Sequence, residues 1–176
     1  MIGRYFWLVL LASACASSGT PPSSGRAAED WQRFDYAPGI SALFPETPRR
    51  VGDDEEPPAV ATDRIDDAAY FMMCFDTTGL TPPKIRALFD EERASKINGR
   101  PLLSDKTVDR DGGRESRFAL RATLSSGVVL VQHDLLILKG QTLCAFTVAV
   151  VDGTDRSQEV ARFFGGIRID VDSSQR

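Results

Sequence analysis

Residues 102–151 constrain the fold more than any other part of the chain. Four runs, "LLSDKTVDR", "RESRFALRATL", "VVLVQHDLLILK" and "TLCAFTVAVV", are separated by Asp111-Gly112-Gly113, Ser125-Ser126-Gly127 and Lys139-Gly140-Gln141. Each run is rich in β-branched or other apolar residues, and each break carries glycine where a tight turn needs a positive φ. Short breaks between extended runs leave only antiparallel neighbours, so this half of the chain reads as a four-stranded meander.

Side-chain alternation then sorts the strands. In "RESRFALRATL", Phe118, Leu120 and Ala122 share one face while Arg117 and Arg121 share the other. That second face is wet at least there. In "VVLVQHDLLILK" both parities are mostly apolar, the pattern of a central strand covered on both sides. The sheet is therefore expected to be asymmetric, with one well-packed face and one partly open.

The rest of the fold is read around this meander. "GISALFPETP" (Gly39–Pro48) is a short strand closed by prolines, and "GDDEEPP" (Gly52–Pro58) is an acidic surface loop. "AVATDRID" and "AAYFMMCFDT" read as a strand pair bent at Asp66-Asp67. A helix follows, with Thr81 as cap, Pro82 in its first position, Ile85, Leu88 and Phe89 on one face, and Asn98-Gly99 at its end. A second helix is expected after "DGTD", capped by Thr154 or Asp155, burying Val160, Phe163 and Phe164, and stopping at Gly165. "GIRID" adds a closing strand. The predicted class is α+β, an antiparallel sheet of six to seven strands with two packed helices, in the order βββ-α-ββββ-α-(β).

The N-terminus reads as an export signal over residues 1–14. Met1–Arg4 is a short positive segment, Tyr5–Leu11 is apolar, and Ala12-Ser13-Ala14 supplies small residues for cleavage. Leu11-Ala12-Ser13-Ala14-Cys15 resembles a bacterial lipobox, although Ala12 stands where leucine is commonest. That resemblance implies lipidation of Cys15, which would become the new N-terminus. The alternative is ordinary cleavage after Ala14 or Ala16. Ala16, rather than aspartate, after the cysteine implies the outer membrane, with the protein facing the periplasm. Residues 16–28 form a Ser/Gly/Pro/Ala linker that reaches at most about 45 Å when extended. The expected organisation is signal 1–14, lipidated cysteine and linker 15–30, a single domain 31–172 and a tail 173–176.

The 176-residue chain has a net charge of −4, and loss of Arg4 with the signal takes it to −5. Mild acidity argues against a nucleic-acid partner, whose footprint is a basic face. No G-x-G-x-x-G, P-loop, G-x-S-x-G, HExxH or CxxC pair occurs, so no cofactor or metal is expected.

The "GISALFPETP" strand, an aromatic third strand, a helix, the meander and the "VARFFGGIRI" ending together resemble the PsbP-like superfamily, over roughly Trp31–Asp170. The resemblance implies an α/β/α sandwich and non-enzymatic work, because characterised members bind or stabilise other proteins. It supplies no metal ligand or partner-contact residue that maps onto this chain.

Chemistry-bearing residues are few. His133 is the only histidine and shares a strand parity with Val131 and Leu135, so its neighbour Asp134 points to the opposite face and cannot orient it. Met72, Met73 and Cys74 offer soft sulfur for copper(I), but Met73 points away from the other two. The acidic "DDEE" at 53–56 lacks the ligand spacing of a calcium loop. Cys74 and Cys144 lie in two predicted strands of an exported chain, and they are either disulfide partners or separately buried. Arg110, Arg114, Arg117 and Arg121 alternate with Asp105, Asp109, Asp111 and Glu115 across a hairpin. Cross-strand ion pairs account for the pattern, and an open mixed face at Arg117 and Arg121 is the docking alternative.

The expected function is therefore a membrane-anchored, non-catalytic binding or assembly module that engages an envelope protein. The alternatives are a small-ligand or lipid carrier, which needs an apolar cavity between sheet and helix, and a hydrolase using carboxylates of the 53–67 loops.

Overall fold

The computed structural model describes residues 31–51, 59–62, 67–110 and 113–170. Cys15, the linker, the acidic 53–56 loop and Asp66 lie outside the described residues.

Five strands precede the first helix: β1 (Gln32–Ala37), β2 (Ile40–Phe44), β3 (Arg49–Val51), β4 (Ala59–Ala61) and β5 (Ala68–Phe75). Helix α1 (Pro82–Ile97) leads into the meander β6 (Leu102–Arg110), β7 (Gly113–Thr123), β8 (Val129–Lys139) and β9 (Thr142–Val151). Helix α2 (Ser157–Gly165) and β10 (Arg168–Ile169) close the chain. The strands form a seven-stranded antiparallel sheet, in the order β3-β4-β5-β9-β8-β7-β6, and a separate three-stranded sheet, β1-β2-β10.

The α+β class and the meander agree with the sequence reading, and two details are corrected. Five strands rather than three precede α1, because β1 offers only one short alternation, Arg33-Phe34-Asp35-Tyr36, and β3 is only three residues long. The "GISALF" strand and the closing strand pair with each other in the small sheet instead of joining the main one. The middle of the main sheet is β9, buried at eight consecutive positions; β8 lies beside it and its odd residues are mostly half-buried.

Each face of the main sheet has its own core. Face one lies under α1, where Ile85 and Phe89 pack on Phe118, Leu120, Leu136, Leu138, Leu143 and Ala145. Face two carries Tyr70, Met72, Phe146 and Val148 and is covered by the small sheet and α2. Phe163 is the hub of that layer, with Phe44, Tyr70, Phe164 and Phe146 at ring-centroid distances of 5.3, 5.4, 5.5 and 6.5 Å. These tilted and edge-on contacts suit the aromatic quadrupole.

The helix ends differ from expectation in detail. Thr81 occupies the N-cap position of α1 with proline behind it, but its side chain makes no capping bond. Asn98 ends α1 in the left-handed region at φ 37°, and its N–H donates to the Ala94 carbonyl at 2.8 Å. Arg156, not Thr154 or Asp155, is the N-cap residue of α2, and Gly166 follows its last residue, Gly165. Asp155 still serves the helix start, accepting the Ser157 N–H at 3.1 Å.

The small sheet is fastened at several points. Gly39, at φ 75°, approaches β10 so closely that a Cβ there would lie 2.2 Å from the Asp170 carbonyl oxygen. Lys139 Nζ donates to the Ile169 carbonyl at 2.6 Å. The Tyr36 hydroxyl accepts the Cys74 N–H at 3.2 Å and donates to the Cys74 carbonyl at 3.5 Å.

Candidate functional site

The register of the main sheet decides where each chemical group goes. Cys74 stands directly opposite Cys144 in the β5–β9 ladder, and the two are joined by a disulfide closing a 70-residue separation. Because the Cys74 N–H bonds to Tyr36, this pair is not hydrogen-bonded across the ladder, which is the closer of the two antiparallel pair types. The bond commits the Cys74 sulfur, which leaves Met72 and Met73 on opposite faces without a shared soft ligand.

His133 and Asp134 separate as alternation requires. Asp134, fully buried, enters a polar network under α1. Its Oδ1 accepts Lys96 Nζ at 3.0 Å and the Thr147 hydroxyl at 2.6 Å, and its Oδ2 accepts Gln132 Nε2 at 2.8 Å. Arg100 donates to Gln132 Oε1 at 3.2 Å and to the Lys96 carbonyl. Glu92 reaches the same ammonium at 3.8 Å, and its Oε1 is buried without a hydrogen bond. Burial pushes the Glu92 carboxyl above its ordinary range, Lys96 pulls it down, and the Asp134 charge raises it. The network links the end of α1 to β8 and β9. Its Lys96–Asp134 centre is closed to solvent, with Glu92 and Arg100 partly exposed at its margin, and it has the character of an anchor for the helix.

This network is absent from the sequence reading, yet it left a trace. Ile85, Phe89, Glu92 and Lys96 recur at the four-, three- and four-residue spacing of one helix face, so two charged residues continue an apolar stripe. Asp134 likewise directly precedes the apolar run Leu135–Leu138 of a strand. A buried charge paired across elements is the reading consistent with both.

His133 faces the other way, onto face two. There, α2 and the small sheet stop short of β6 and β7, leaving a groove of about 420 Å³. Arg117, Val131, His133, Val150, Val160 and Phe164 contribute to its lining. Burial pushes the His133 imidazole below its ordinary value, and the charge of Asp134 offsets this in part. No carboxylate or hydroxyl is hydrogen-bonded to His133 among the described residues. Asp155 also lines the groove, with its carboxyl held low by hydrogen bonds from Ser157. The one carboxyl raised among the described residues, Glu92, lies on the opposite face.

The arginines at the groove are lightly held. Arg117 stacks over Phe164, with Cζ 5.4 Å from the ring centroid, and its ion pair with Glu115 is a 3.8 Å contact. Arg121 pairs with Asp152 at 3.2 Å. Both side chains are about half exposed, at 55% and 51%. Arg114 points to face one instead, where it meets Asp90 at 3.0 Å and Asp109 at 3.5 Å, and Arg93 pairs there with Asp105. The hairpin's ion pairs are thus real but mostly on the α1 side. Asp111 lies outside the described residues.

No family model matches the chain, and no curated protein matches it. Solved structures do. The solution structure of cyanobacterial PsbP (CyanoP) from Synechocystis sp. PCC 6803 aligns with a TM-score of 0.54 at 15% identity, covering 86% of this chain and 98% of that one. A crystal structure from Bacteroides thetaiotaomicron VPI-5482 aligns with a TM-score of 0.53 at 12% identity, covering 81% of this chain and 50% of that one. This chain therefore spans half the length of the Bacteroides chain. At such identities the likeness is one of fold. With the element order, the seven-stranded sheet and the two helices described above, it establishes that the chain has a PsbP-like fold.

Proposed function

We propose that this protein is a non-catalytic binding module of the cell envelope, lipid-anchored through Cys15 to the outer membrane and facing the periplasm. It would engage an envelope protein with the uncovered part of face two. The observation that carries this reading is the character of that surface: half-exposed arginines beside an apolar groove, in which no hydroxyl is hydrogen-bonded to His133 among the described residues. Several acyl chains on one cysteine would give stable anchoring, and the linker would let the domain search for its partner.

Intact mass of the membrane-extracted protein tests the anchor. An acylated N-terminus at Cys15 is expected, and an unmodified N-terminus at Cys15 or Ser17 would refute it. Photo-crosslinking from position 117 in native envelopes tests the partner, and a discrete protein adduct is expected. The apolar floor of the groove, between sheet and α2, favours one second reading, a carrier of a small amphipathic ligand. Native mass spectrometry would support it by finding a bound small molecule while no protein adduct forms.

A further inference from the structure

The open part of face two carries a charge imbalance with a clear structural origin. Strand β6 alternates Asp105, Lys106, Thr107, Val108, Asp109 and Arg110, so its acids and bases fall on opposite faces. Asp105 and Asp109 turn to face one, where Arg93 and Arg114 neutralise them. Lys106 and Arg110 turn to face two, joining Arg117 and Arg121 of β7. Strands β6 and β7 supply one carboxylate to this face, Glu115, and the loop after β9 adds Asp152, already held by Arg121, and Asp155, which is bonded to Ser157.

The register sharpens the imbalance. Lys106 is the direct cross-strand partner of Arg117. Like charges opposite each other on one face are destabilising, and the only ion pair between the two and a carboxylate among the described residues is the 3.8 Å Arg117–Glu115 contact. Among the described residues, no carboxylate forms an ion pair with Lys106.

Beside it lies an apolar counterpart. Leu102 and Leu103, at 42% and 49% exposure, are the exposed large hydrophobic residues among those described; they open the same strand, Leu102 opposite Leu120 on face one and Leu103 at the bulge that follows. Among the described residues β6 is also an edge strand, paired with β7 alone, and an edge of this kind can accept an added strand. At about 3.3 Å per residue, Leu103 and Lys106 stand about 10 Å apart along β6.

We propose that the β6 edge binds an extended acidic segment of a partner protein as an added strand, in which apolar side chains meet Leu102 on face one and Leu103 at the bulge, and carboxylates about three residues away meet Lys106 and Arg117 on face two. A second copy of β6 is a poor occupant. Antiparallel self-pairings centred on Asp105, Lys106, Thr107 or Val108 each set like charges opposite each other. The inference rests on the proposed protein-binding role and specifies the chemistry of the partner.

A synthetic peptide carrying paired leucines and, three residues on, paired glutamates tests it, alongside the same peptide with glutamine for glutamate. Fluorescence anisotropy on the folded domain is expected to show binding of the glutamate peptide only, weakening as salt shortens the screening length. The double variant Lys106→Glu/Arg117→Glu should bind about tenfold more weakly or worse, because like charges then face each other. Its unchanged thermal midpoint would show that it folds, and a lysine version of the peptide should restore binding to it. Equal binding of the glutamine peptide, or indifference to the charge reversal, would overturn the proposal. If the peptide fails while a crosslinker at position 106 captures an envelope protein, the acidic-segment inference falls and the binding-module reading stands. If both fail, both fall.

Discussion

The two faces of the main sheet solve the same burial problem with different materials. Face one holds α1 through an apolar patch that ends in a buried ion network, Lys96–Asp134–Thr147 with Gln132, Arg100 and Glu92. Face two holds its cover through aromatic rings gathered on Phe163 and leaves its outer strands bare. The polar solution is directional, so it sets the register of α1 on the sheet while risking an uncompensated charge. The aromatic solution is less directional, and it fits a cover made of two separate pieces. The face that is less fully covered is the one where a partner could bind.

The largest effect that would break this contrast is on the polar side. Asp134→Ala leaves the Lys96 ammonium buried without its principal counter-charge and should cost up to about 5 kcal/mol in urea unfolding. The double variant Asp134→Leu/Lys96→Met should lose far less, because the charges go together. If the double costs as much as the single, the network is not organised around this pair.

The disulfide comes next. Cys74–Cys144 closes a 70-residue separation spanning α1 and β6–β8, and by chain entropy its removal should cost about 4 kcal/mol. Thiol blocking before and after reduction, read by intact mass, checks the bond itself. Two cysteines alkylated without reduction at these positions would remove it. Phe163→Leu, which keeps an apolar side chain but loses the ring contacts, should cost about 1–2 kcal/mol.

The smallest effect is a matter of pH. Glu92 has a raised carboxyl affinity in the folded state, so the native protein holds that proton more tightly than the unfolded chain. Its contribution therefore stabilises as pH falls from above the folded value toward the ordinary carboxylate range, and is lost as pH rises through the folded value. Glu92→Gln should stabilise the protein at neutral pH and flatten this part of the profile, measured by thermal midpoints from pH 5 to 8. Destabilisation at neutral pH would mean that the Glu92–Lys96 attraction outweighs the burial of the carboxylate.

Much of the fold was legible because local pattern and turn chemistry agree. Alternation around Phe118 and Arg117 assigned β7 its two faces, and proline, then Asn98-Gly99, bracketed α1. The separate small sheet was not legible, because β1 is a short strand with only Phe34 and Tyr36 as its inward apolar pair and β10 is two residues long. At the open surface, Arg117 and Arg121 were visible as a wet stripe, whereas the opposition of Lys106 to Arg117 depends on which residues the β6–β7 ladder pairs. A bulge between Leu102 and Ser104 shifts that ladder, and strand patterns alone do not reveal such shifts.

Sequence alone determined the meander, the two helices and the faces of the meander's strands, since dihedral preferences, side-chain alternation and glycine turns act within a few residues. Only the tertiary structure decided that Cys74 meets Cys144, that Lys96 reaches through the α1 interface to Asp134, and that the cover of face two ends before β6 and β7. Those outcomes depend on strand order and on the packing of elements far apart in the chain. No local propensity encodes them, and they are settled when the two cores close.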